Sequence, residues 1–255
     1  MRSFWIALSM YSKFPAPQVE WDKKSLSWAL CFLPAVGAGI GAVLALWLML
    51  SQAIDLGTHL TAAGALILPV ALSGGIHLDG FCDTADALGS HQDRERKLEI
   101  LKDTHTGAFA IICCCLYLIL FFAAWCEVEL SWGAIGVLAL GPVLSRCLSA
   151  LAAVSWPNAR GSGLLASFTG PMDAKRARSR LLGLALLLCC FLPIPDLWTG
   201  VAAVGGALAA FLYYRTMAKR QFGGITGDLA GFFLQICECA MVIAVVLAQH
   251  IEELL

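Results

Sequence analysis

Charge is the scarcest ingredient of this sequence. Only 14% of its 255 residues are Asp, Glu, Lys or Arg, against about a quarter in a soluble domain. From Ser25 to Asp93 there is no lysine or arginine at all. A soluble domain wrapped in a charged shell is excluded, and the net charge of −1 points to no particular partner. Paired metal-binding cysteines are also missing. The chain has eleven cysteines, none at CxxC spacing, and they cluster in apolar runs such as Cys113-Cys114-Cys115, Cys189-Cys190, Cys237 and Cys239. In such runs cysteine serves as a small buried hydrophobe. No h-region with a small-residue cleavage site follows Arg2, so a secretory leader is not expected. What the sequence does have is apolar residues: 59% of the chain, with a mean hydropathy of +0.78. Runs able to cross a ~30 Å hydrocarbon core, each needing ~20 residues, recur along it. The expectation is one integral membrane domain over residues 1–255.

The architecture expected is all-α, a polytopic bundle of about seven transmembrane helices. The spans fall at roughly 28–50, 57–76, 106–126, 131–154, 178–194, 196–214 and 228–249, the fifth cut short by Pro193 and Pro195. The basic residues then sort themselves. Arg2, Lys13, Lys23 and Lys24 precede the first span; Arg94, Arg96, Lys97 and Lys102 lie between the second and third; Arg160, Lys175, Arg176, Arg178 and Arg180 between the fourth and fifth; Arg215, Lys219 and Arg220 between the sixth and seventh. An odd number of spans puts all of these on one side. The opposite loops hold Asp55, Glu127, Glu129, Asp196, Glu252 and Glu253 and no basic residue. The excess of Lys and Arg marks the first side as cytoplasmic, with the N-terminus inside and the C-terminus outside. Arg146 alone stands apart, about two turns inside the fourth span. It either snorkels to the interface or faces an anion, and Glu238, about three turns into the seventh span, and a substrate phosphate are the two candidates.

The basic side also carries an acidic cluster free of basic residues, His77-Leu78-Asp79-Gly80-Phe81-Cys82-Asp83-Thr84-Ala85-Asp86. On a helix Asp79, Asp83 and Asp86 share an arc of ~60°. Like charges so placed repel unless a cation neutralises them. Donors that are all oxygen suit Mg²⁺, held by one or two carboxylates, water and substrate phosphate. His77 points away from that face and reads as a ligand contact, a packing residue or, less simply, a metal ligand. Two further cytoplasmic segments match in kind: Lys102-Asp103-Thr104-His105-Thr106-Gly107, and Gly223-Gly224-Ile225-Thr226-Gly227-Asp228. A glycine-rich turn opening a helix presents free N–H groups to phosphate, and equally reads as an ordinary turn with an N-cap. The loop 155–180, with Arg160-Gly161-Ser162-Gly163, Ser167-Phe168-Thr169-Gly170-Pro171 and a basic end, either meets substrate phosphate or only enforces topology.

Gly74-Gly75-x-His77-x-Asp79-Gly80-x-x-Asp83-x-x-Asp86, Leu98-Glu99-Ile100-x-Lys102-Asp103-x-x-x-Gly107 and Gly223-Gly224-x-Thr226-Gly227-Asp228 resemble the adenosylcobalamin-5′-phosphate synthase (cobalamin synthase) family. So does the opening, Phe4-Trp5 with Phe14-Pro15-Ala16-Pro17, and the resemblance runs nearly end to end. It implies a multi-pass enzyme of the bacterial inner membrane. That enzyme transfers the adenosylcobinamide phosphate of adenosylcobinamide-GDP to α-ribazole or its 5′-phosphate and releases GMP. It also implies Mg²⁺ as cofactor, with Asp79, Asp83 and Asp86 holding the metal and Asp103 and Asp228 supporting the site. Attack by the acceptor 5′-hydroxyl is expected, with Asp83 or Asp86 taking its proton, and His77, Lys102, Arg146, Thr226 and Gly227 are the expected substrate contacts. The partners expected are the two substrates and membrane lipids, not nucleic acid; a homo-oligomer or association with other corrinoid-assembly enzymes is left open. The chain departs from the family pattern at Ala87 (glycine expected), at Lys102 to His105 (Arg-Asp-Ser-Arg expected) and at Gln235 (glutamate expected). A CDP-alcohol phosphotransferase would need Asp-Gly-x-x-Ala-Arg, and Asp83 stands where that alanine belongs; a transporter would place its acids nearer midplane, with internal repeats.

The charge partition makes a direct prediction. A phosphatase reporter fused after Leu255 is active, because the C-terminus lies opposite the basic segments. A C-terminus that reports as cytoplasmic contradicts the partition.

Overall fold

The computed structural model describes residues 1–160 and 173–254, and almost all of them are helical. The helices start where short polar side chains can cap them. Asp22, Asp93, Ser131, Asp173, Asp196 and Thr226 each accept a hydrogen bond from the backbone N–H three residues on, which satisfies donors that a helix N-terminus leaves free. In chain order the helices are α1 (Arg2–Tyr11), α2 (Lys23–Ala29), α3 (Leu33–Ala53), α4 (Thr58–Leu72), α5 (Ile76–Gly89), α6 (Arg94–Ile100), α7 (Ala108–Cys126), α8 (Trp132–Ser155), α9 (Ala174–Phe191), α10 (Leu197–Met217) and α11 (Gly227–Glu253). A tight 3-10 turn at Leu30–Phe32 joins α2 to α3, and a wider π-helical turn at Ala218–Phe222 carries α10 toward α11.

The bundle is pinned at two ends. At one end the Gln52 side chain donates to the Leu130 carbonyl at 2.7 Å, and Gln249 exchanges hydrogen bonds with the Glu129 backbone at 3.1 and 2.7 Å. The loops 54–57 and 127–131 and the end of α11 therefore meet, and Asp196 packs against Gly133 beside them. At the other end Lys13 N–H donates to the Leu72 carbonyl at 2.7 Å, and residues 157–159 pair with Ile225 through two backbone hydrogen bonds of 2.9 Å. Lys97 reaches Gln221 there at 2.6 Å. The described basic segments collect at this second end and the acidic loops at the first, as the charge partition requires.

The polytopic all-α bundle is as expected, and among the described residues length and composition alone single out fewer than seven of its helices as spans. Five helices are long and apolar enough to cross a membrane, Ser25–Ala53, Ala108–Cys126, Trp132–Ser155, Leu197–Phe222 and Gly227–Glu253, and a sixth span arises only if α4 and α5, bent by 93°, count as one. At 1.5 Å per residue α4 is ~22 Å long, short of a ~30 Å core. The span expected at 178–194 begins earlier, in α9, and Lys175, Arg176, Arg178 and Arg180 occupy its first two turns. We take α4 as the crossing limb of the bent pair and α5 as lying outside the hydrocarbon, across the basic end. The outer surface of the bundle is apolar, with Leu46, Ile67, Leu116, Ile119, Leu186 and Leu212 exposed, which suits contact with lipid and not with water.

Small residues let the helices close up. A side chain on Gly37 would fall on the Pro142 carbonyl, one on Gly41 on that of Ala139, and one on Gly206 within 2.7 Å of the Ala240 carbonyl. These contacts seat α3 on α8 and α10 on α11 through backbone approach. Gly37→Val and Gly41→Val are expected to lower the unfolding temperature in detergent by roughly 3–10 °C. Gly57→Ala serves as the control, since its new methyl would meet nothing within 4 Å. Thermal melts followed by tryptophan fluorescence check this.

Candidate active site

Gly74 and Gly75 hold φ of +67° and +78°, the left-handed region open to glycine at little cost. They turn the chain so that α5 lies across the basic end. There its backbone meets that of α11. A side chain on Gly80 would come within 2.7 Å of the Asp228 carbonyl, and one on Gly231 within 3.0 Å of the His77 carbonyl. Phe81 stacks on Phe232 at 5.3 Å beneath this crossing. The acidic face of α5 thereby comes beside the first turn of α11, where Thr226 caps the helix and leans toward Asp228 at 3.4 Å.

The electrostatics follow from that approach. Asp83 is half-buried, and its pKa is pushed up to about 6, first by burial and then by the charges of Asp79, Asp228 and Asp86; Arg160 opposes the shift. Asp228 receives the Arg160 guanidinium at 3.1 Å. Asp86 points the other way, its carboxylate packed against Gly107 at the N-terminus of α7, where the helix dipole favours an anion. Among the described residues no three His, Cys, Asp or Glu side chains already converge as a metal cage. The donor set still fits Mg²⁺. It is all carboxylate oxygen, it is crowded with like charge, and Mg²⁺ commonly takes one or two carboxylates with water and substrate phosphate.

Below the crossing is a cavity of about 230 Å³. His77, Asp79, Arg160, Thr226, Gly227 and Asp228 line its polar side, and Tyr11, Leu33, Ala153 and Leu234 are among its other walls. The expected residues His77, Asp79, Thr226, Gly227 and Asp228 are thus brought together, with Asp83 coupled to them by charge. Tyr11 and Asn158 were not foreseen. Tyr11 stands three residues before Phe14-Pro15-Ala16-Pro17, with nothing in the sequence to mark it; Asn158 comes just after α8, two residues before the flagged Arg160.

Other expected residues lie elsewhere. Asp103 and His105 pair with each other at 2.7 Å on an exposed loop, and accepting from the His105 backbone N–H first, then from its ring, holds the Asp103 carboxyl below its ordinary range. Lys102 is exposed on the same loop, and of the segment 102–107 it is Gly107 that touches the acids. Arg146 is not among the residues that line the cavity. It is 2% exposed and donates to Glu238 at 2.6 Å and to the Pro142 carbonyl at 3.2 Å, one helical turn below Ser149 in the cavity wall. Ser145 also donates to Glu238, at 2.7 Å. A guanidinium cannot shed its charge, so the carboxylate already in the bundle neutralises it. Gln235, where a glutamate was expected, accepts from Tyr117 at 2.7 Å in the core. Of the loop 155–180, residues 161–172 lie outside the described residues.

Comparison with known proteins adds a family. The model of the cobalamin-5-phosphate synthase family matches residues 3–246. The adenosylcobinamide-GDP ribazoletransferase of Lachnoclostridium phytofermentans is 41% identical over 252 residues, covering 98% of this chain and 95% of that protein. The one from Pseudomonas putida is 38% identical over 97% of this chain and all of its own length, and the one from Desulfitobacterium hafniense 35% identical over 93% and 94%. No solved structure matches.

The buried pair makes the prediction here. Arg146→Ala or Glu238→Ala alone leaves an uncompensated charge inside the bundle and is expected to cost about 3–5 kcal/mol of stability. The double variant is expected to cost clearly less than the sum. Additive losses in detergent unfolding would mean that the two side chains do not neutralise each other.

Proposed function

Because the chain belongs to the cobalamin-5-phosphate synthase family, we infer that it is an adenosylcobinamide-GDP ribazoletransferase, a transferase of cobalamin biosynthesis. The observation that carries this is a family match running from residue 3 to residue 246, which takes in each of the acidic side chains gathered where α5 crosses α11. The substrates are adenosylcobinamide-GDP and α-ribazole or its 5′-phosphate, and the transferred group is the cobinamide phosphate. A hydroxyl of the acceptor ribose attacks the corrinoid-side phosphorus, a new P–O bond forms, the diphosphate bridge breaks, and GMP leaves. The family's description supports replacing the 5′-hydroxyl expected above as the nucleophile. A product that keeps a 5-phosphate was not made through the 5′-oxygen, so a secondary ribose hydroxyl is the nucleophile.

Asp79 and Asp83, with Asp228 beside them, would hold Mg²⁺, which when bound would supply positive charge to the diphosphate oxygens and the departing phosphate; Asp86, expected as a third ligand, faces α7. The remaining work is positioning and proton transfer. Asp83 sits among Asp79, Asp86 and Asp228, and its raised pKa suits acceptance of the hydroxyl proton near neutral pH; Asp86, turned to α7, is less suited. Arg160 holds Asp228 in place and brings a guanidinium to the cavity wall where a phosphate can use it. Thr226 and Gly227 open α11 with free N–H groups toward the same space. The chain is a multi-pass membrane protein by its candidate spans. The basic end, and with it this site, faces the cytoplasm of a bacterial inner membrane, where nucleotide-activated substrates are made.

Asp79→Asn, Asp83→Asn and Asp228→Asn are each expected to cut GMP release by roughly a hundredfold or more in protein that still inserts. Chelation is expected to abolish wild-type activity and added Mg²⁺ to restore it. Full activity in chelator contradicts the metal, and full activity in any one variant removes that residue from the site.

A further inference from the structure

We propose that the cavity behind the acidic crossing is the acceptor subsite and takes the base of α-ribazole, with His77 as a directional contact. This rests on the activity inferred above and says which part of which substrate enters the protein. The cavity of about 230 Å³ lies below the ~300 Å³ at which small-molecule sites usually begin, so a corrin macrocycle stays outside. The two remaining candidates are the base of the acceptor and the guanine of the donor.

The walls discriminate between them. Away from the carboxylates the cavity is bounded by Leu33, Ala150, Ala153 and Leu234, with Ser149 and Asn158 also in the lining and the Tyr11 ring lying parallel to His77 at 6.4 Å. His77 is 6% exposed, and its Nε2 has no hydrogen-bond partner among the described residues. A buried polar atom of that kind is costly unless a ligand satisfies it. The base of α-ribazole is a flat, uncharged, dimethylated benzimidazole with a single unsubstituted ring nitrogen. In the tautomer that carries the proton on Nε2, His77 offers one donor for that one acceptor, and the apolar walls take the methylated ring. Guanine carries several donors and a carbonyl, and against Leu33, Ala150, Ala153 and Leu234 those would go unpaired. With the base against His77 and Leu234, the ribose points toward Asp79 and Asp228 in the same cavity, which is where the attacking hydroxyl has to be.

The test separates the two substrates. Binding of α-ribazole to the full chain in lipid nanodiscs, without donor or metal, is read from the fluorescence of its own base. Wild type is expected to bind it. Ala153→Leu, which fills the cavity, and His77→Phe, which removes the donor, are each expected to weaken binding by about tenfold or more, an energy in the range of a hydrogen bond to a buried group. In turnover the same variants raise KM for α-ribazole while KM for adenosylcobinamide-GDP stays within about twofold. Should these two fail to insert, Tyr11→Leu, at the half-buried edge of the cavity, is expected to show the same split. Unchanged α-ribazole binding in the variants, a rise confined to the donor KM, or displacement of bound α-ribazole by GMP alone overturns the subsite. Wild-type protein that binds α-ribazole but releases no GMP leaves the subsite standing and removes the activity it rests on.

Discussion

The backbone contact between α5 and α11 governs the arrangement of this molecule's polar end. Two glycines make it possible, Gly80 against Asp228 and Gly231 against His77. A side chain at either position would hold the helices apart by about the width of a methyl group, and the acids of α5 would no longer share space with the first turn of α11. The left-handed turn at Gly74-Gly75 aims α5 along this path, and the Phe81–Phe232 stack fixes its rotation. Burial first, and then the like charges of Asp79, Asp228 and Asp86, make Asp83 hold its proton more tightly than an ordinary carboxyl. The apolar contacts beneath support that crowding, and a bound cation with a substrate diphosphate would relieve it.

A second arrangement lies below. Arg146 and Glu238 tie α8 to α11 inside the bundle, one turn beneath the cavity wall. In a low-dielectric interior each charge is acceptable only because of the other. The pair therefore fixes the relation of two helices that both line the cavity. At the opposite end of the bundle neutral hydrogen bonds from Gln52 and Gln249 serve as the ties. The ends thus differ in kind as well as in charge.

Much of this was legible in the sequence. The spacing of Asp79, Asp83 and Asp86 fixes a common helical face. The distribution of lysine and arginine separates the two ends without reference to structure, and the described contacts agree with it. Harder to read were properties that depend on which helix meets which. Thr58–Leu72 and Ala174–Phe191 run between the two ends of the bundle, yet one is short and bent against α5 and the other begins with two basic turns, so neither stands out by length and composition. Arg146 had two possible counter-charges at sequence level, and nothing but packing decides between them. Asp103 belongs to a family-like block, but its loop turns outward and pairs it with His105. Tyr11 carries no mark of its role, because the cavity it lines is assembled from segments far apart in the chain.

The central claim is that the α5–α11 crossing, and not the carboxylates alone, would make the proposed metal site. Mn²⁺ binding to the purified chain, followed by electron paramagnetic resonance, tests it most directly in Gly80→Val, which keeps every acidic side chain and moves the crossing apart. The account predicts wild-type binding at a site lost in Asp79→Asn, and a drop in affinity of at least about tenfold in Gly80→Val protein that still inserts and keeps its helix content. Undiminished Mn²⁺ affinity in that variant would contradict it.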